Sequence, residues 1–109
     1  MSYLGMLYFE IERLARDVVE VDGEWYIVDT CKTPDAGWET GIASIDLEAM
    51  AEGLDIDEEE GESLYPELIR KYAEDFIDEW GWEVQNYRTK RQAEAGHKRV
   101  CKNGRLDED

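Results

Sequence analysis

The sequence predicts an α+β domain: a small antiparallel sheet of about three to four strands with helices packed on one face. Three observations carry this prediction. Two β-rich runs flank Asp22-Gly23 in "VVEVDGEWYIVDT", and a two-residue turn of that composition favours the type I′ hairpin because glycine tolerates positive φ. A stripe made of Leu64, Leu68, Ile69, Tyr72, Ala73, Phe76, Ile77 and Trp80 keeps one helical face over more than four turns. The chain has 109 residues, 42% of them apolar, which suits one domain with a single modest core.

The elements follow in order. Leu4, Leu7, Tyr8, Ile11, Leu14, Ala15 and Val18 recur at three- and four-residue steps, which predicts a first helix with Ser2 as N-cap. The hairpin around Asp22-Gly23 comes next. "TPDAG" (33–37) reads as a loop and "WETGIASI" (38–45) as a third strand. Leu47, Met50, Ala51 and Leu54 suggest a short helix, followed by an exposed acidic loop. The long helix is predicted over 64–80. Ser63 is its N-cap candidate, Pro66 lies in its first turn, and Gly81 is its stop. "WEVQNYR" (82–88) reads as a fourth strand. Thr89 and Gln92 form a Thr-x-x-Gln capping box for a helix over 90–102. Residues 105–109 read as a frayed tail. Residues 1–109 form a single acidic domain with no internal repeat or linker.

Charge is the most informative feature. The 28 acids against 12 bases give a net charge of −16, beyond the magnitude of about 2–8 that keeps a small domain soluble. Residues 1–87 hold 24 acids and 5 bases, whereas residues 88–105 hold 7 bases and one acid. No base lies between Lys32 and Arg70, a stretch with twelve acids. Nucleic-acid readers and proteins of anionic membranes are basic, so the body of this chain is unsuited to either. There is no basic, apolar leader and no run of about 20 apolar residues, so no membrane segment is expected. Cys31 and Cys101 lie far apart without a CxxC pair, which points to free thiols in a cytoplasmic setting.

The motifs for chemistry are weak. An EF-hand register starting at Asp55 places Asp57 and Glu59 correctly but puts Glu60 where glycine belongs and Pro66 at the last ligand position. Two Cys and one His give no recognised zinc spacing. A Cys–His nucleophile would use Cys31 and His97, but the expected roles are a buried thiol and a surface histidine on a basic helix. No phosphate-cradling glycine loop is present. The expectation is a non-enzyme with no cofactor and no metal. The cations of the last helix read as an offset to the protein's own acids.

"DGEWYIVDTCKTPDAGWETGI" and "NYRTKRQAEAGHKRV" resemble two elements of short, uncharacterised phage and mobile-element proteins. These are a "DG-x-x-Y-x-V-D-T … G-Y/W-E-T" segment and a "Y-x-T-x-x-x-A-x-x-G-H" ending. The resemblance covers roughly a third of the chain and implies a genomic setting, not an activity or a set of site residues. Residues 46–80 depart from the pattern and look inserted between the shared parts. In character, though not in alignable motifs, a small acidic chain of this kind resembles DNA-mimic anti-restriction and anti-CRISPR proteins. Duplex DNA carries about one negative charge per 1.7 Å of axis, and fixed carboxylates fit the grooves built for it. That likeness implies an inhibitor of a host nucleic-acid-binding defence protein, such as a Cas effector or a restriction enzyme. The candidate partner-binding residues are Asp55, Asp57, Glu58, Glu59, Glu60 and Glu62 in the loop. Glu67, Glu74, Asp75, Asp78 and Glu79 extend them along the predicted helix. Acids at helical steps of three, four and seven lie roughly 5–10 Å apart, comparable to phosphate spacing. The alternatives are an interaction module whose acidity is only solvation, and a nucleic-acid binder using the basic helix.

Overall fold

The computed structural model describes residues 12–34, 37–77 and 81–107. Four strands, β1 (Arg13–Val21), β2 (Glu24–Lys32), β3 (Trp38–Ser44) and β4 (Glu83–Tyr87), form one antiparallel sheet in the order β1-β2-β3-β4. Asp22 and Gly23 turn between β1 and β2 with φ of 52° and 84°, the two positive values a type I′ turn requires. The α+β class and the antiparallel sheet are as the sequence predicts.

The predicted first helix is not formed over its described part, because β1 occupies Arg13–Val21. Leu14, Ala15 and Val18 fit a helical period, but the hairpin offers this segment a full ladder against β2, and tertiary pairing outweighs a local pattern. The remainder of that prediction, 1–11, lies outside the described residues.

Helices cover both faces of the sheet, where the sequence points to one. α3 (Lys90–Asn103) packs Val100 against Val28 and Ile42. On the opposite face α1 (Leu47–Gly53), α2 (Pro66–Tyr72) and a 3-10 turn (Ala73–Phe76) pack Met50, Ile69 and Ala73 against Trp25 and Ile27. The alternation of β2 explains both cores, since Trp25 and Ile27 point to one side and Tyr26 and Val28 to the other. β3 and β4 pair directly, so the whole 45–82 excursion leaves the sheet and returns beside the strand it left. It is pinned by an Ile45–Ile77 bridge and by Asp46 N–H donating to the Phe76 carbonyl at 2.8 Å.

The long helix predicted over 64–80 is shorter. α2 ends at Tyr72, the 3-10 turn follows, and Ile77 is already extended. Ser63 does not cap it: the N-cap is Tyr65, without a side-chain bond, and Pro66 opens the helix. The apolar stripe persists through the tightened turn, so its periodicity did not reveal the break. α3 matches its prediction, with both bonds of the Thr89–Gln92 capping box in place. The tail is not frayed up to Asp107. Leu106 packs with Val28 and Val100, and Asp107 accepts from Arg99 and from the Tyr87 hydroxyl at 2.7 Å.

Candidate functional site

The acidic loop has local order. Asp57 caps a 3-10 turn (Glu58–Glu60), accepting from the N–H groups of Glu59 at 3.0 Å and Glu60 at 3.3 Å. Asp57 N–H donates to Glu62 at 3.4 Å, and Gly61 closes the turn with φ of 87°. Asp55, Asp57, Glu58, Glu59, Glu60 and Glu62 are all exposed. Glu67, in the first turn of α2, is exposed too. Among the described residues, no ion pair involves any of these seven carboxylates.

The helical half of the predicted surface is different. Glu74 is exposed but pairs with Arg16, so one of its oxygens is already spent on an internal cation. Asp75 is exposed on the 3-10 turn. Asp78 and Glu79 lie outside the described residues. With α2 ending at Tyr72, Glu67, Glu74 and Asp75 do not form one continuous helical row.

Arg16 belongs to a charged anchor under the excursion. Buried Asp29 lies 3.1 Å from Arg13 Nε and 3.2 Å from Arg16 Nε, the second without hydrogen-bond alignment. The Cys31 thiol donates to Asp29 at 3.3 Å, and burial, aided by that carboxylate, pushes it up to about 12. Cys31 is therefore a protonated, inert thiol at neutral pH.

The sequence places His97 on the surface; the structure buries it at 5% exposure. Its Nδ1 lies 2.7 Å from Thr30 Oγ1, which lies 2.7 Å from Thr40 Oγ1. Its Nε2 lies 2.6 Å from Asp17 Oδ2. Cys101 Sγ sits 4.0 Å from the same oxygen, and burial together with Asp17 pushes that thiol up to about 11. The signal was present in the sequence: His97 lies four residues from Ala93 and three from Val100, on the buried face of α3. The pairing of Cys31 with His97 fails on geometry. Cys31 shares the Asp29 face of β2, whereas His97 meets Thr30 on the other. The same separation keeps the two cysteines free.

The Asp17–His97–Thr30 chain has the composition of a hydroxyl nucleophile, base and orienting acid. Thr30 is fully buried between sheet and α3, so no substrate reaches its hydroxyl. Two open grooves among the described residues, at Trp25–Asp46 and at Tyr26–Gly104, are lined by none of the three. The two motif stretches also meet here. Tyr87 lies over Gly96, Thr89 caps α3, Ala93 is fully buried, and His97 reaches Thr30 and Thr40 through one network.

No family model matches the chain, and neither a curated protein nor a solved structure matches it significantly. No helix among the described residues is long and apolar enough to cross a membrane.

Proposed function

We propose that this protein is a non-enzymatic acidic ligand that occupies a cationic, nucleic-acid-binding surface of another protein. The partner class is a host defence protein such as a Cas effector or a restriction enzyme. One observation supports this reading above the others: the carboxylates of 55–62 and Glu67 are exposed and, among the described residues, free of ion pairs, while a capped turn orders the backbone of 57–62 that carries them. A solvating surface does not require such order. Preorganised charge steers association and binds without first ordering its loop. Glu74 is the weakest member of the predicted surface, because Arg16 competes for it.

The test replaces Asp57 by Asn and Glu58, Glu59 and Glu60 by Gln. Asn retains an acceptor for the turn, so shape is kept while four charges go. The partner is first captured from a bacterial lysate and identified, then titrated calorimetrically at two salt concentrations. Each charge-assisted hydrogen bond lost is worth about 1.5–3 kcal/mol, so the variant binds at least about tenfold more weakly per contact, with a shallower salt slope. Lys90→Ala with Lys98→Ala is the control and leaves affinity unchanged. Equal affinity of wild type and the four-site variant at both salts reduces the acidic loop to a solvated surface.

A further inference from the structure

α3 and β1 bring an imidazole, a thiol and a carboxylate together away from the acidic loop. His97 and Cys101 are four residues apart on α3, so their side chains share one helix face. Asp17 approaches both from β1. His97 Nε2 lies 2.6 Å and Cys101 Sγ 4.0 Å from Asp17 Oδ2, and the three donor atoms all lie within 4.8 Å of one another. We propose that Asp17, His97 and Cys101 bind a thiophilic divalent cation of the zinc type, with water as the fourth ligand.

The donor set selects the metal class. Thiolate with imidazole disfavours magnesium and calcium, which take hard oxygen ligands, and suits zinc. In a tetrahedral zinc site, ligand distances of about 2.0–2.3 Å place the donor atoms roughly 3.3–3.6 Å from one another. The Nε2–Oδ2 pair must open by about 0.7 Å and the Sγ–Oδ2 pair must close by about 0.5 Å to reach that geometry. The Nε2–Sγ pair, within 4.8 Å, must close by up to about 1.3 Å; that falls on the Cys101 side chain, and the rest falls on Asp17, whose side chain is 54% exposed. That exposure also gives water access to the fourth position.

Support behind the ligands is a second, independent observation. A metal-bound imidazole donates its other ring N–H to a neighbour that fixes tautomer and orientation. Here His97 Nδ1 meets Thr30 Oγ1, which in turn meets Thr40 Oγ1; with the imidazole proton on Nδ1, Thr30 accepts from the ring and its own O–H turns to Thr40. The ring is held before any cation arrives. The net charge of −16 further favours cation approach. On binding, the Cys101 thiol proton leaves to solvent, the imidazole proton moves from Nε2 to Nδ1, and Asp17 exchanges its hydrogen bond for a metal–oxygen bond. No electron is transferred.

The experiment uses the full chain, reduced and stripped with a chelator, and titrates Co²⁺ against it in excess Mg²⁺, which occupies the exposed carboxylates. One equivalent of Co²⁺ gives a thiolate-to-metal charge-transfer band and tetrahedral visible bands, both removed by Zn²⁺. Cys101→Ser abolishes the charge-transfer band, and Asp17→Asn weakens Zn²⁺ binding at least tenfold. Both side chains border solvent, and circular dichroism checks that the variants remain folded. Thr30→Val weakens binding by about 10–100-fold without touching the metal, as loss of an outer partner does. Absence of the charge-transfer band in folded wild type, or Zn²⁺ affinity unchanged in Cys101→Ser, overturns the site and leaves His97–Asp17 as a hydrogen bond only.

Discussion

Asp29 and Thr30 are neighbours in β2, yet each serves a different face of the sheet. Asp29 is buried with Arg13 and Arg16, and through Arg16 it reaches Glu74 on the excursion. Thr30 is buried with Thr40 and His97, and through them it holds α3. The excursion face is thus tied by ions and the α3 face by a hydrogen-bond chain in which His97 Nε2 ends on Asp17. The helices differ in the same sense. α1 and α2 have seven residues each, too short to stand without packing, whereas α3 has fourteen and a complete capping box. The lesson is that the most acidic part of this protein is also its least self-supporting layer, and the excursion is expected to open before the sheet and α3 do.

The largest test sets the two anchors against each other. Arg16→Met leaves buried Asp29 with Arg13 and the Cys31 thiol and releases Glu74, so the cost stays below the ~3–5 kcal/mol of an uncompensated buried charge, at roughly 2–3 kcal/mol. Thr30→Val removes a neutral partner from Thr40 and His97 and costs about 1–3 kcal/mol. Urea denaturation of both variants checks the order, and equal losses abolish the distinction between the faces.

A smaller effect comes from the glycines. A Cβ at Gly96 meets the Tyr87 ring at 2.3 Å, and one at Gly53 meets the Phe76 ring at 2.7 Å. Gly96 is buried and Tyr87 is held by Asp107. Gly53 is exposed at the end of α1. Gly96→Ala therefore lowers stability by about 1–3 kcal/mol, and Gly53→Ala by less, as thermal melts of the two will report. The reverse order would place the tighter packing on the excursion face.

The smallest effect is alkaline. Burial, then the bond to Asp107, raises Tyr87 from 10.0 to about 12. The folded chain holds this proton more tightly than the unfolded chain, so the stabilisation is full below pH 10.0 and is lost as pH rises from there to about 12. Tyr87→Phe flattens that part of the stability–pH curve. An unchanged slope in this variant assigns the alkaline loss to the thiols, Cys31 raised from 9.0 to about 12 and Cys101 from 9.0 to about 11.

The sequence by itself determined the elements whose signals are local. Asp22-Gly23 fixed its hairpin because a type I′ turn demands positive φ at both positions. Thr89 and Gln92 fixed the start of α3 because the capping box lies within four residues. The exposure of Asp55 to Glu62 was legible because no apolar partner interrupts the carboxylates apart from Ile56. Only the tertiary structure decided the rest. Arg13–Val21 became a strand because β2 offered it a ladder, and residues 64–77 broke into a short helix and a 3-10 turn because Ile77 pairs with Ile45. His97 met Asp17, eighty positions away, and no period or spacing encodes which distant residue a buried imidazole will face. Such a pairing is set by the alternation of the strands and the rotation of α3 about its axis, and both are fixed only when the two cores pack.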